Sequence, residues 1–263
     1  MNIQAAANAL LEAEKTKTPI SPFTSLVEQI TAGDAYSIQL QVIQTKIEAG
    51  ATVKGMKIGL TSKAMQEMLN VYTPDYGHIL DSMVYEQNQP VDLTQFISPK
   101  VEFEIAFVLK EDLKGPNLTA EDVIRATDYV VPAIEIIDSR IKDWKIKFED
   151  TVADNGSSAG AVLGATKTPL DGLDLAAVEM KAYKNNIHYD TATGAAVLGN
   201  PVEAVVWLAN ELGTYDISLK KGQFILAGAL SKAMEIAEGE EYSADFGVLG
   251  KVSVSFVKAG VTK

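Results

Sequence analysis

The chain of 263 residues has no cysteine and only two histidines, His78 and His188. The first absence excludes disulfides, zinc ribbons, iron–sulfur clusters and a thiol nucleophile. The second excludes a metal cage built mainly from imidazole, so any metal held here must sit among oxygen ligands. Basic residues are also scarce: 23 Lys and Arg stand against 35 Asp and Glu, a formal charge of −12. That balance argues against nucleic acid and anionic membrane as partners, since both reward basic clusters. No run approaches the roughly 20 apolar residues of a membrane span. Residues 1–20 carry Glu12, Glu14, Lys15 and Lys17 and lack the apolar core of a signal peptide, so a cytoplasmic location is expected. With 47% apolar and 22% charged residues the chain is too apolar to be disordered, and its length fits one large domain or two small ones.

No internal repeat or low-complexity tract is present. The Ala-, Leu- and Glu-rich run Asn2–Lys15 predicts a helix, and Tyr36, Leu40, Ile43 and Ile47 fall on one face of a second, stopped at Gly50. Residues 1–50 therefore read as a helical part and 51–263 as a β-rich body, together one structural unit. In the body, Val53–Leu60 is extended, and Thr61 or Ser62 caps a short helix through Leu69. Val101–Lys110 and Val130–Ile137 are strand-like, with Pro132 marking the latter as an edge strand or bulge. Between them, Thr119-Ala-Glu-Asp122 starts a helix reaching about Asp128. Asn185-Asn186 reads as a hairpin turn within 182–189, and Asn200-Pro-Val-Glu203 opens a helix ending near Gly213. Phe224–Ala229 and Lys251–Val257 are late strands, the second with Val252, Val254 and Phe256 on one face. Helices and strands do not alternate as regular βαβ units, so the fold class is α+β.

Three segments carry candidate chemistry. In Val101-Glu-Phe-Glu-Ile-Ala-Phe-Val-Leu109, strand alternation puts Glu102 and Glu104 on one face, beside Ala106 and Val108. Like charges so close in a dry setting need a cation or shared protons, whereas on an edge strand they would simply face water. Glu135 is the lone charge in Val130-Val-Pro-Ala-Ile-Glu-Ile-Ile137. It either joins a metal site, points outward, or pairs with Arg140. Three strand-borne carboxylates suit Mg²⁺ or Mn²⁺. Lys57, in Met56-Lys-Ile-Gly-Leu-Thr-Ser62, lies in an apolar strand before a turn whose backbone N–H groups can bind a carboxylate. Apolar surroundings would depress its pKa and let it exchange protons near neutrality; the alternative is an ordinary snorkelling lysine. Thr73-Pro-Asp-Tyr-Gly77 fits a plain turn with Asp75 exposed, and Thr151–Ser158 a polar loop.

Taken together these segments resemble the 2-oxopent-4-enoate (2-hydroxypenta-2,4-dienoate) hydratases of the fumarylacetoacetate hydrolase superfamily. The resemblance rests on Lys57-Ile-Gly-Leu-Thr-Ser62, Pro74-Asp-Tyr-Gly77, Glu102-Phe-Glu104, Pro132-Ala-Ile-Glu135, Asp138-Ser-Arg-Ile-Lys-Asp-Trp144 and Asp150-Thr-Val-Ala-Asp-Asn155. Ala204-Val-Val-Trp-Leu-Ala-Asn210 and Gly228-Ala extend it, so that it spans residues 34 to 256. It implies a mixed, rolled β-sheet body with an N-terminal helical part, forming a higher homo-oligomer. It also implies Mg²⁺ or Mn²⁺ on Glu102, Glu104 and Glu135, catalytic roles for Lys57 and Asp75, and substrate contacts from Gly59, Leu60, Thr61, Ser62 and Ser157. The implied reaction adds water to a small 2-hydroxy-dienoic (2-oxo-enoic) acid, giving a 4-hydroxy-2-oxo acid. In that reading the metal stabilises the dienolate, Lys57 moves the enol proton and Asp75 handles the water.

The nearest alternative is 2-oxo-3-hexenedioate (4-oxalocrotonate) decarboxylation, which shares the metal site; around Asp75 and Trp144 the chain follows the hydratase pattern. A dicarboxylate-specific hydratase fits too. Carbon–carbon bond hydrolysis is not expected, because neither histidine is placed as its base. A non-catalytic partner in a complex with a decarboxylase would tolerate loss of ligands, yet all are present here.

Overall fold

A computed structural model describes residues 1–27, 29–63, 66–67 and 70–258. Its larger sheet is mixed and runs, in spatial order, β2 (Asp75–Leu80), β1 (Val53–Gly59), β10 (Phe224–Leu226), β5 (Lys100–Leu109), β6 (Thr127–Ile137), β7 (Ser158–Leu163) and β3 (Val84–Tyr85). The short β11 (Met234–Glu235) pairs with the start of β5. A second sheet has the order β4 (Val91–Asp92), β13 (Lys251–Val257), β12 (Glu241–Asp245), β8 (Glu179–Lys184) and β9 (Ile187–Thr193). Most pairs are antiparallel, but β1–β10, β3–β7 and β4–β13 are parallel. This is the expected mixed α+β architecture with a helical N-terminal region.

The period of two in β5 sorts its side chains as expected. Val101, Phe103, Ile105, Phe107 and Leu109 enter the main core with Ile134 and Ile136 of β6 and Tyr242, Val252, Val254 and Phe256 of the second sheet. Each large apolar side chain so buried contributes about 1.5–3 kcal/mol. Ala106, Val131, Ala133, Ala161 and Leu226 occupy the opposite face of the larger sheet, where Glu102, Glu104 and Glu135 also lie.

The N-terminal helices, Ile3–Thr16 and Ala32–Glu48, share a smaller cluster with Ile141, Phe148, Val152 and Ala153. The second helix starts in a capping box between Thr31 and Asp34. Its inward face differs from the expected one: Leu40 and Ile47 are 41% and 38% exposed, and the buried stripe is Ala35, Ile38, Gln39, Val42 and Ile43. The polar Gln39 turns inward because its Nε2 donates to the carbonyls of Tyr76 (3.0 Å) and Val152 (2.7 Å), tying helix, β2 and the 148–153 helix together.

Pro132 is not on an edge strand. β6 lies between β5 and β7, and Pro132 is tolerated because its partner Ile105 directs its carbonyl to Ala227. The Pro132 carbonyl still accepts from Gly164, and the N–H that proline lacks would face the same place, where β7 has already ended at Leu163. The Asn185-Asn186 turn has φ of 50° and 62° and joins β8 to β9, and Asn200 caps the Pro201–Gly213 helix. The helix expected through Leu69 falls partly on residues outside those described. Among the described residues no helix is long and apolar enough to cross a membrane.

Candidate active site

Strand register gathers the candidate residues at one end of the larger sheet. Glu102 lies opposite Glu135, Glu104 opposite Ala133, and Gly59 opposite Asp75. One carboxylate oxygen from each of Glu102, Glu104 and Glu135 lies within 4.8 Å of the others. Glu104 and Glu135 are buried, at 1% and 0% exposure, so the edge-strand alternative with solvated carboxylates does not hold. Nor does Glu135 pair with Arg140, whose guanidinium is taken by Asp154 (Nε–Oδ1 2.5 Å).

The carboxylate trio is under-satisfied. Glu104 Oε2 accepts from the Gly228 N–H at 2.6 Å, but Glu104 Oε1 and both oxygens of Glu135 have no hydrogen-bond partner among the described residues. Buried ionised oxygens without partners are costly. Burial and then repulsion by Glu135 push the Glu102 carboxyl up to about 7. Burial raises Glu104 well above the usual range and raises Glu135 despite the nearby Lys57. Clustered oxygens with free lone pairs fit a hard divalent cation.

These shifts set a pH dependence. Below 4.5 the Glu102 carboxyl is neutral folded or unfolded; between 4.5 and about 7 it ionises in the unfolded chain while the fold holds it neutral. Its contribution to stability is therefore full below 4.5 and lost as pH rises through about 7. Metal-free protein should melt lower at pH 8 than at pH 5.5, and Mg²⁺ should raise the Tm at pH 8 more than at pH 5.5. Thermal melts with and without EDTA at the two pH values check both.

Lys57 is buried, with Nζ donating to the Gly156 carbonyl (2.9 Å) and 3.5 Å from Glu135 Oε2. The expected depression of its pKa does not occur. Burial lowers it, but Glu135, Asp75, Glu102 and Glu104 together reverse that effect and raise it. Asp75 is buried rather than exposed in a turn, burial raises its carboxyl, and its Oδ1 has no partner among the described residues. Gly59 makes this closeness possible: a Cβ there would lie 2.2 Å from Asp75 Oδ1 and 3.1 Å from Lys57 Nζ.

The other expected contacts are distributed unevenly. β1 ends at Gly59, and Leu60 takes φ 55°, its carbonyl accepting from Gln66 Nε2. Thr61 packs beneath Gly228, where a Cβ would meet its Oγ1 at 2.2 Å. The Ser62 carbonyl accepts from the Gln66 N–H. The Ser157 hydroxyl lies 3.4 Å from the Thr151 hydroxyl, and it is Gly156 that meets Lys57. Gly156 and Asn155 escaped single-residue reading; only their place in the Asp150–Asn155 and Ser157 stretch hinted at them.

The segment from Asp138 to Ser157 is fastened both internally and to its neighbours. Asp138 accepts from the N–H groups of Ile97 (2.8 Å) and Ser98 (2.7 Å). Arg140 donates further to the carbonyls of Asp154 (2.6 Å) and Ser158 (3.3 Å). Asp154→Ala would leave a buried guanidinium unpaired, and is expected to destabilise the fold by about 3–5 kcal/mol in urea titration. His78 has its Nδ1 3.2 Å from Gln39 Oε1, and burial pushes its pKa down to about 4, so it is a neutral ring.

The chain matches the fumarylacetoacetate (FAA) hydrolase C-terminal family over residues 58–257. It is 43% identical to the 2-hydroxyhexa-2,4-dienoate hydratase of Comamonas testosteroni, over 97% of this chain and 98% of that one. It is 40% identical to the 2-oxo-hept-4-ene-1,7-dioate hydratase of Escherichia coli, over 95% and 96%. The structure of 4-oxalocrotonate decarboxylase from Pseudomonas putida G7, complexed with magnesium and adipate, superposes with a TM-score of 0.94 at 35% identity, covering 97% of each chain.

Proposed function

The chain belongs to the fumarylacetoacetate hydrolase family, and on that basis we propose that it is a metal-dependent hydratase adding water to a 2-hydroxy-2,4-dienoate. The observation that carries this reading is the under-satisfied trio of Glu102, Glu104 and Glu135 beside Lys57 and Asp75, in a chain similar over nearly its whole length to two hydratases. Held by the three glutamates, Mg²⁺ (or Mn²⁺) would supply Lewis-acid stabilisation of negative charge on the substrate's 2-oxygen.

The residues divide the proton work by charge. The dienol gains a proton at C5 and loses its 2-hydroxyl proton, giving a conjugated 2-oxo-3-enoate. Water then adds across C3=C4, hydroxyl to C4 and proton to C3. Lys57, kept charged by its carboxylate neighbours, is the donor to C5 and is recharged by the 2-hydroxyl proton. Asp75, its carboxyl raised by burial and its Oδ1 without a hydrogen-bond partner among the described residues, orients the water, takes its proton and returns that proton to C3. The turn Gly59, Leu60, Thr61 and Ser62, with the loop at Ser157, forms the walls that hold the substrate carboxylate. Decarboxylation of 4-oxalocrotonate is the second reading, favoured by the superposition on that decarboxylase; the higher identity to the hydratases, 43% and 40% against 35%, favours water addition.

The exposed Ile187 and Tyr189 on the edge strand β9 support a homo-oligomer, because an uncovered edge with apolar side chains invites pairing. The shared cluster between the 1–50 helices and the body supports one structural unit. A panel of 2-hydroxydienoates and 2-oxo-enedioates of differing length, followed by loss of dienoate absorbance with Mg²⁺ and with EDTA, tests the reading. Metal-dependent conversion to a product one water heavier supports it, and CO₂ release without water addition, or no turnover with any member, contradicts it.

A further inference from the structure

We propose that Asn155 is a positioning residue for Lys57, acting through the carbonyl of Gly156; this rests on the assignment of proton transfer to Lys57. Asn155, Gly156 and Ser157 have φ of 58°, 59° and 56°, three consecutive residues in the left-handed region. L-residues disfavour that hand, and such a run persists only where its surroundings over-determine it.

Asn155 supplies the decisive restraint. Its Oδ1 accepts from the His78 N–H at 2.7 Å and its Nδ2 donates to the His78 carbonyl at 2.9 Å. β2 is a terminal strand of its sheet, and the carboxamide takes the place of a neighbouring strand at that one residue. Gly77 permits the approach, since a Cβ there would stand 2.2 Å from the Asn155 carbonyl oxygen. The far side of the turn is held by the Asp138 N–H, which donates to the Ser157 carbonyl at 2.8 Å. It is thus the backbone of His78, not its imidazole, that serves the site.

Clamped this way, the turn closes on the end of the lysine. The Gly156 carbonyl accepts from Lys57 Nζ at 2.9 Å, with Glu135 Oε2 on another side at 3.5 Å. A Cβ on Gly156 would lie 3.2 Å from Lys57 Cδ and 3.5 Å from Asp75 Oδ1, so the turn borders both proton-transfer groups. An ammonium on a four-carbon stem has three rotatable donors; the hydrogen bond to the Gly156 carbonyl and the ion pair with Glu135 together fix where they point. Asn155 itself touches no reacting atom.

The test uses the full chain with Mg²⁺ and 2-hydroxypenta-2,4-dienoate, in Asn155→Ala, Asn155→Asp and Gly77→Ala, each also combined with Lys57→Ala. Misplacing the lysine should lower kcat roughly 10- to 100-fold, with KM and Mn²⁺ affinity (by EPR) within about twofold of wild type. Asn155→Asp keeps the size and the acceptor for the His78 N–H and should lie between wild type and Asn155→Ala. In the Lys57→Ala background the same substitutions should cost nothing further. Equal losses in both backgrounds, or unimpaired kcat in Asn155→Ala and Gly77→Ala, would overturn the inference. A wild-type protein that leaves the dienoate unchanged would instead overturn the hydratase reading, and this inference with it. If Asn155→Ala does not fold, Gly77→Ala and Asn155→Asp, which disturb the same turn from different sides, decide the matter.

Discussion

Glu104→Gln is expected to lower kcat/KM by at least about 10³-fold, equivalent to roughly 4 kcal/mol of lost transition-state stabilisation, while making the metal-free protein more stable. The two effects have one cause. Glu104 is buried in a cluster with Glu102 and Glu135, one oxygen bonded to Gly228 and the other without a partner among the described residues. Glutamine keeps an acceptor for the Gly228 N–H and removes the charge. Relief of an unsatisfied buried carboxylate should be about 1–3 kcal/mol, a rise in Tm of about 2–8 °C in EDTA. Addition of Mg²⁺, which should raise the Tm of the wild type, should leave the variant's nearly unmoved. Paired melts check this; a lower Tm in EDTA, or an undiminished Mg²⁺ shift, would count against the trio as a metal site.

Lys57→Ala should act with the opposite sign on stability. Turnover should fall by about 10²–10⁴-fold, the usual contribution of a positioned proton-transfer group, and metal affinity should not weaken. Lys57 Nζ is the cation paired with Glu135 at 3.5 Å, inside a cluster that also holds Asp75, Glu102 and Glu104. Its removal leaves these charges uncompensated, so in EDTA the variant should lose about 3–5 kcal/mol, much of it restored by Mg²⁺. Retained turnover near the wild-type rate would remove Lys57 from the proton transfer. Read together, the two variants separate a carboxylate that exists for the metal from a lysine that exists for the proton.

The legible part of the site was the part written in alternation. Glu102 and Glu104 share a face because strands have a period of two, and apolar neighbours on that face already implied burial. Glu135 stood out as a single charge in an apolar run. What no local pattern holds is register, and it is register that sets Glu102 against Glu135 and Asp75 beside Lys57. The pKa of Lys57 escapes local pattern for the same reason: its own strand is apolar, whereas the charges that raise it arrive from β2, β5 and β6. Gln39 shows the converse, a polar side chain turned inward because two backbone carbonyls of distant elements await it. Pro132, which breaks strands locally, sits in a central strand where β7 has already ended. The left-handed turn at Asn155–Ser157 depends on Gly77 and His78, far away in sequence, so its geometry could not be read from its own residues.

The central claim is that this site adds water to a dienol rather than breaking a carbon–carbon bond. The most direct measurement incubates the purified protein and Mg²⁺ separately with 2-hydroxypenta-2,4-dienoate and with 2-oxo-3-hexenedioate, recording product mass and released CO₂ together. The account predicts a 4-hydroxy-2-oxo acid one water heavier than the dienoate, abolished by EDTA and by Glu104→Gln, with no CO₂ from either compound. CO₂ release from the hexenedioate without hydration of the dienoate would contradict it.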